Sequence, residues 1–448
     1  MGKLFGTDGV RGIANKELTA DLAFKLGQAG AMVLTKHAQH KPKIIIGKDT
    51  RASSSMLECA MASGIASVGG EAILVGVVPT PAVAYIVREL QYDAGVVISA
   101  SHNPVEFNGI KFFNKDGFKL SDAIEEEIED IILNNKELPA PTGAQIGHVT
   151  QDLDAVRHYI KYIPTTIQGD LLGLKMVIDC ANGANSYIAE QVLRDMGVQV
   201  ISINDIPDGT NINKDCGSTH LGDLKKAVLE NKADLGIAFD GDADRCLAVD
   251  ENGELVSGDK ILAICGKFLK DAGKLPNNTI VATIMSNLGL SKACENLGIN
   301  LVQAKVGDRY VLEEMQKGGY VLGGEESGHI IFLKWGTTGD GLLTAVHLAG
   351  VLKKSGKKLS HLAKVMQTYP QIIVNAKVPN DKKHDYEDNA DVKEAIERVR
   401  AKFNEYGRVV IRPSGTEPVI RVMIEGQDIE ELTREANGLA NVFEMKLG

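Results

Sequence analysis

Apolar residues fall along this chain in short unbroken runs. Each run closes in a polar, glycine-bearing loop and leads into residues spaced as on a helix. IIIGKDTRASS (44–54), MVIDCANGANS (176–186) and IVATIMSNLGLS (280–291) share this layout. Each is followed by a helical stretch with a Gly near its end and then by a second strand: EAILVGVVPTP (71–81), VQVISINDIPDG (198–209) and INLVQAKVGD (299–308). A further strand then enters the most unusual loop of each unit, in VVISASHNP (96–104), LGIAFDGDADR (235–245) and YVLGGEESGH (320–329). Strands alternating with helices predict βαβ units and mixed, mostly parallel sheets. Ligand sites in such sheets lie beyond the carboxyl ends of the strands, where all three loops fall.

The texture changes after Tyr369–Pro370. A strand (372–378) precedes a helix with apolar Val392, Ile396, Val399 and Phe403. Strands RVVIRP and VIRVMIEG follow, then a helix with Ile429, Leu432, Ala436, Leu439 and Phe443. Steps of three and four mark one buried helical face. With the Pro/Gly-rich ELPAPTGAQIG (137–147) and the Asn252–Gly253 turn as further boundaries, the expected fold is α/β. Three similar mixed-sheet α/β domains (1–150, 151–254, 255–368) stand in tandem before a smaller C-terminal α+β domain (369–448). Most charge clusters, the EEEIED run (125–130) among them, read as solvated helix faces without a functional role.

Composition changes this picture in a few places. The length, 448 residues, suggests about three domains at roughly 150 residues each, one fewer than the pattern predicts. Lys+Arg is 49 and Asp+Glu 59, a net charge of −10. That is a poor footprint for nucleic-acid binding, which depends on excess Lys and Arg against phosphates. Aromatics are only 5%, with Trp335 the single tryptophan, so base-stacking platforms are scarce. Glycine is abundant, 47 of 448, which predicts tight turns and close backbone approaches. Six scattered cysteines show no C-x-x-C and no zinc spacing, so reduced thiols in a cytoplasmic protein are expected. The N-terminal MGKLFGTDGVRG has no apolar core of a signal peptide, and Gly6 stands where myristoylation needs Ser or Thr. No apolar run approaches ~18 residues, so no membrane span is expected.

The loops carry the candidate chemistry. Ser99-Ala100-Ser101-His102-Asn103-Pro104 offers an exposed hydroxyl nucleophile beside an imidazole; the alternative is a strand-capping Ser/Asn/Pro turn. No G-x-S-x-G elbow accompanies it, so acyl-enzyme chemistry is disfavoured. In Asp240-Gly241-Asp242-Ala243-Asp244-Arg245, three alternating carboxylates converge as the loop curls. Charges ~4 Å apart repel by about 4 kcal/mol at an effective dielectric of 20. A divalent cation removes that repulsion, and all-oxygen ligation favours Mg²⁺ or Ca²⁺. An EF-hand is excluded because Arg245 occupies the glycine position and the flanks read as strands; a solvated acidic turn is the remaining alternative.

Gly324-Glu325-Glu326-Ser327-Gly328-His329 offers carboxylates, a hydroxyl and an imidazole for a polyhydroxylated ligand, or forms an ordinary turn. Arg412-Pro413-Ser414-Gly415-Thr416-Glu417-Pro418, with Arg421 beyond, supplies the parts of a phosphate loop. No Walker A sequence occurs. Gly6-Thr7-Asp8-Gly9-Val10-Arg11-Gly12 places an Arg in a glycine-rich turn. Together these are parts for phosphoryl transfer on a phosphorylated sugar, one phosphate held while another moves.

The set GTDGVRG, SASHNP, DGDADR, GEESGH and RPSGTEP, in this order over essentially the whole chain, resembles the α-D-phosphohexomutase superfamily. FGTDGVRG and RPSGTEP most resemble its bacterial branch acting on glucosamine phosphates. The resemblance implies a four-domain fold and interconversion of glucosamine 6-phosphate and glucosamine 1-phosphate, toward UDP-N-acetylglucosamine and cell-wall precursors. It implies one Mg²⁺ per chain and glucosamine 1,6-bisphosphate as intermediate and activator. It further implies Ser101 as the phosphorylated serine, charged by a kinase or by autophosphorylation, and as a metal donor beside Asp240, Asp242 and Asp244. Arg11 and Arg245 would lie near the phosphoserine, and His102 and Asn103 would shape its loop. Lys111 and His329 are acid/base candidates. Glu325 and Ser327 would hold sugar hydroxyls, and Arg412, Ser414, Gly415, Thr416 and Arg421 the unreacting phosphate. A homodimer is one expected assembly, and the small last domain is expected to hinge while the bisphosphate turns over. Ser99 replaces a Thr of relatives, and Glu326 stands where many have Gln or Met, which bears on sugar preference. The rivals are phosphoglucomutase or phosphomannomutase specificity, a catalytically silent sugar-phosphate sensor, and a phosphatase using Asp240.

Overall fold

The computed structural model describes residues 4–6, 8–36, 38–404, 406–414 and 418–448. The first sheet contains β1 (Val10–Ile13), β2 (Lys43–Lys48), β3 (Glu71–Val77), β4 (Ala94–Ile98), β5 (Phe107–Asn114) and β6 (Val149–Gln151). The second contains β7 (Lys175–Asp179), β8 (Gln199–Ile203), β9 (Leu235–Phe239), β10 (Cys246–Asp250) and β11 (Leu255–Val256). The third is built from β12 (Thr279–Thr283), β13 (Asn300–Ala304), β14 (Leu322–Gly324) and β15 (Ile330–Phe332). The last comprises β16 (Gln371–Lys377), β17 (Arg408–Pro413) and β18 (Val419–Glu425).

One strand order recurs in the first three sheets: β3-β2-β4-β5, β8-β7-β9-β10 and β13-β12-β14-β15. In each, the first three strands are parallel and the fourth returns antiparallel. The reason lies in the loops. A parallel crossover needs a dozen or more residues, and the connections 99–106, 240–245 and 325–329 are too short for one. Each unusual loop is thus the turn between a buried parallel strand and its antiparallel return. All five residues of β4 and of β9 are buried, as expected for strands covered on both faces. These central strands are the rigid stems of the first two loops.

By internal contacts the chain forms two compact units, Met1–Ile284 with Ile299–Lys364, and Met285–Gly298 with Val365–Gly448. In the second unit β16-β18-β17 is antiparallel throughout. Val392, Ile396, Val399, Phe403, Leu432, Ala436, Leu439 and Phe443 form its core, as their spacing predicts. Ile429 is the exception at 46% exposed, because it opens its helix directly after the Asp428 cap. The crossover between β12 and β13 belongs to this unit. Leu288 N–H donates to Glu425 Oε1 at 3.2 Å, and Asn287 Nδ2 donates to the Tyr369 carbonyl at 3.0 Å.

The EEEIED run corrects the expectation of a purely solvated face. It lies on helix Asp122–Leu133, where Glu129 is buried and its Oε1 accepts from the Leu4 and Phe5 N–H groups at 2.6 and 2.7 Å. Glu125, four residues earlier on the same side, pairs with Arg309 at 3.4 Å. One side of the acidic helix therefore clamps the start of the chain and reaches Arg309.

Candidate active site

The serine loop is held from beneath by a buried ion pair. Asp49 and Arg51, just beyond β2, are 1% and 2% exposed, with Arg51 Nε donating to Asp49 Oδ2 at 2.8 Å. The guanidinium also donates to the carbonyls of Pro104 at 2.5 Å, Asn103 at 2.9 Å and Ser101 at 3.0 Å. Asn213 Nδ2 donates to the Ser101 carbonyl at 2.8 Å. Ser99 Oγ donates to Asp49 Oδ2 at 2.6 Å and accepts the Ser101 N–H at 3.0 Å. These bonds hold Ser101 at φ +54, left-handed backbone that costs a non-glycine residue ~1–3 kcal/mol. The sequence signal for Asp49 and Arg51 is weak, two opposite charges shortly after the apolar run Ile44–Ile46.

Asp240, Asp242 and Asp244 are all buried, and each offers an oxygen within 4.8 Å of the others. Gly241 is required here, because a Cβ on it would stand 2.6 Å from the Ser101 carbonyl. Ser101 Oγ donates to Asp240 Oδ2 at 2.5 Å, and the Arg245 N–H donates to Oδ1 at 3.1 Å. Burial first, then repulsion by Asp244 and Asp242, pushes Asp240 up to about 8. Asp242 Oδ1 and Asp244 Oδ1 are buried and accept no hydrogen bond. Buried carboxylate oxygens without donors, in an all-oxygen set that resists full ionisation, fit a hard divalent cation such as Mg²⁺.

Lys111, on β5, is 1% exposed and lies 2.8 Å from Asp242, 3.0 Å from Asp8 and 3.5 Å from Asp244. Burial works against its charge, but these three carboxylates outweigh it and hold the ammonium above its usual range. Asp244 is likewise kept ionised: Lys111, His329 and Arg245 overcome its burial. Asp8 also pairs with Arg11 and Lys119, and Lys119 pairs with Asp308. Nothing in the sequence pattern predicts this chain of charges, although Asp8 stands inside GTDGVRG. His329 Nδ1 faces Asp244 at 3.6 Å, while Nε2 accepts the Gly339 N–H at 3.0 Å. Nε2 also faces Asp308 Oδ2 at 3.4 Å. Burial works against its charge, but Asp244 and Asp308 raise its proton affinity. His102 lies 3.5 Å from Ser101 Oγ; burial, then Arg245 and Arg11, lowers it to about 4. It is neutral at pH 7.

The GEESGH loop is attached to β10. Arg245 pairs with His329 in an isolated antiparallel bridge, and Cys246 N–H donates to the Gly328 carbonyl at 2.9 Å. Glu325 Oε1 accepts the Gly307 N–H at 3.2 Å, and Ser327 Oγ donates to Oε2 at 3.4 Å. Gly328 has φ +93, and a Cβ there would lie 2.3 Å from the Cys246 carbonyl. Gly328→Ala is therefore expected to destabilise this junction by at least ~1–3 kcal/mol. Denaturant unfolding checks this; unchanged stability would refute the junction.

In the second unit Arg412 and Arg421 are direct cross-strand partners on β17 and β18. Both line a cavity of about 160 Å³ with Asn375 and Met285. Two guanidinium groups side by side on one sheet pair suit an anion, which each can hold with paired hydrogen bonds. The Ser414 N–H donates to the Val419 carbonyl at 2.9 Å, and its own carbonyl accepts from Lys383 Nζ. Gly415 and Thr416 lie outside the described residues.

Models of all four domains of the phosphoglucomutase/phosphomannomutase family match in chain order. Alpha/beta/alpha domains I, II and III match residues 2–139, 153–253 and 257–369, and the C-terminal domain matches 373–442. The phosphoglucosamine mutase of Clostridium novyi (strain NT) is 58% identical over 447 residues, covering 100% of this chain and 99% of that protein. That of Acetivibrio thermocellus is 58% identical, with both chains fully covered. Among solved structures, a phosphoglucomutase/phosphomannomutase family protein from Burkholderia thailandensis superposes with a TM-score of 0.81 at 24% identity, covering 99% of this chain and 97% of that one. N-acetylphosphoglucosamine mutase of Aspergillus fumigatus, in complex with GlcNAc-6P and magnesium, does so at 0.70 and 18% identity, covering 99% and 96%. Among the described residues no helix is long and apolar enough to cross a membrane. With matching fold, domain order and full-length identity, the chain belongs to the phosphoglucosamine mutases, isomerases of the phosphoglucomutase/phosphomannomutase family.

Proposed function

We propose that this protein interconverts glucosamine 6-phosphate and glucosamine 1-phosphate in the cytoplasm, through phosphorylated Ser101 and a glucosamine 1,6-bisphosphate intermediate. The observation that carries the reading is Ser101 itself. Its hydroxyl is held in left-handed backbone, 2.5 Å from the first of three buried carboxylates. Asp240, Asp242 and Asp244, with an oxygen on Ser101, would hold Mg²⁺, which when bound supplies positive charge against the phosphoryl oxygens. Arg11 Nε and Arg245 Nε are buried without a hydrogen-bond partner, which favours an anion on Ser101 as their acceptor.

In the forward half-reaction the free sugar hydroxyl forms a bond to phosphorus as the bond from phosphorus to Ser101 Oγ breaks. Ser101 Oγ takes a proton from Lys111 and returns to Asp240, and the proton leaving the sugar hydroxyl passes to Lys111, so the ammonium is restored. Lys111, kept as an ammonium by three carboxylates, is the proton donor we assign. His329, between Asp244 and Asp308, is the second acid/base candidate. Glu325 and Ser327 are the groups for sugar hydroxyls, and Arg412, Ser414 and Arg421, with Gly415 and Thr416, for the phosphate that does not react. The first phosphate on Ser101 comes from a bisphosphate, from autophosphorylation or from a kinase.

Rates on glucosamine, glucose and mannose 6-phosphates test the reading. The expected result is a kcat/KM for glucosamine phosphate about 10²-fold above the others, the scale on which a pocket separates near-isosteric substrates. Equal or higher kcat/KM on glucose or mannose phosphate overturns the sugar assignment. No turnover on any of the three, with no phosphate on the protein after bisphosphate treatment, makes it a sensor.

A further inference from the structure

A cavity of about 480 Å³ opens in the first unit and shares no lining residue with the serine and aspartate loops. Its size is that of small-molecule sites, ~300–1,000 Å³. The walls are largely apolar, with Phe268, Phe332 and Val351 beside Trp335. At the rim stand Lys274, Lys334 and Lys354, and among the described residues no carboxylate lines the cavity. The Lys334 ammonium lies 4.5 Å from the Trp335 ring centre and that of Lys354 5.7 Å from the Phe268 ring centre. These cations therefore overhang the aromatic wall.

His347 marks the inner surface. Its ring stacks on Phe332 at 4.4 Å between centres, and Nε2 is buried with no hydrogen-bond partner. A buried polar atom without a partner costs roughly 1–3 kcal/mol. Native proteins keep few of them, and those they keep call for an explanation such as an unfilled ligand site. Burial lowers this imidazole to about 4, so it is neutral at pH 7 and able to donate or accept. Thr165, Thr166 and Gln168 also line the cavity. An apolar body would cover the aromatic wall, and a negative head group would answer the three cations at the rim.

We propose that this cavity binds a small amphiphilic anion, its aromatic or branched apolar body against Phe268, Phe332 and Trp335 and its single anionic head at the lysine rim. The site is separate from the sugar-phosphate centre, and the proposal does not depend on which sugar the enzyme prefers.

The full-length protein is titrated with 8-anilinonaphthalene-1-sulfonate, an aromatic body carrying one sulfonate. Energy transfer from Trp335, the only tryptophan, reports occupancy. Saturable one-to-one binding is expected, with neutral N-phenyl-1-naphthylamine binding at least about tenfold more weakly. At Gly350 an added Cβ makes only ordinary contact, 3.5 Å from the Ile167 side chain, so Gly350→Leu fills the cavity from a helix without backbone strain. It is expected to weaken the sulfonate probe by about tenfold or more and to leave mutase activity unchanged. The surface variant Lys334→Glu/Lys354→Glu is expected to weaken the sulfonate probe and spare the neutral one. Displacement of the probe by saturating glucosamine 6-phosphate, equal affinity for the neutral congener, or insensitivity to both variants overturns the proposal.

Discussion

Ser101→Ala is expected to lower turnover by on the order of 10⁴-fold or more, the scale lost when a covalent group-transfer residue is removed. The fold should survive. The main-chain contacts of Ser101, its carbonyl bound by Arg51 and Asn213 and its amide by Ser99, do not involve the hydroxyl. Only the hydroxyl-to-Asp240 bond is lost, and Asp240 keeps the Arg245 N–H. Intact-mass measurement after incubation with a hexose bisphosphate should show one phosphoryl group on the parent protein and none on the variant. The unfolding transition should be nearly unchanged. Turnover near the parent level, or phosphate still bound to the variant, would show that another residue carries the group.

Arg51→Met is expected to be nearly as damaging, by a different route. The side chain is enclosed, so its loss leaves Asp49 as an uncompensated buried charge, at a cost of ~3–5 kcal/mol. It also frees three carbonyls that now converge on one guanidinium. Ser101 would then lose its enforced backbone conformation, and a displacement of about 1 Å at a reacting group can cost ~10²-fold in rate. Denaturant unfolding measures the first effect and kcat the second. The double variant Asp49→Asn/Arg51→Met should recover part of the stability, because no charge is left buried, and little of the rate. A single variant with parent stability would mean that the pair contributes nothing to holding the loop. Equal losses in the single and double variants would mean that the stranded charge is not the cause.

How much of this could be read in one dimension varies by residue. The serine and the aspartates sit in short polar runs at the ends of apolar strands, and Arg412 and Arg421 are cations set within otherwise largely apolar strands. Asp49 and Arg51 follow an apolar run too, and give a weak signal because a lone Asp and a lone Arg are common at the end of a strand. Asp8, Lys119 and Asp308 are harder. Lys119 is 111 residues from Asp8 and 189 from Asp308, and nothing local to any of them names the others. Glu129 is the same problem with the opposite error. Inside an acidic run it looked solvated, and only the packing of the chain start against its helix reveals that it is buried.

By itself, then, the sequence determined the repeated strand–helix units, the small last domain and the loops that carry the chemistry. These follow from hydrophobic periodicity and local composition, which act over a few residues. Tertiary structure alone decided which charges meet. It made Lys111 the counter-ion of the aspartates, turned His329 toward Asp244, and exchanged the β12–β13 crossover into the second unit. It also surrounded an apolar cavity with lysines drawn from separate segments. Coulombic and hydrogen-bonding partners are set by distance in space, and a linear pattern contains that distance only for near neighbours.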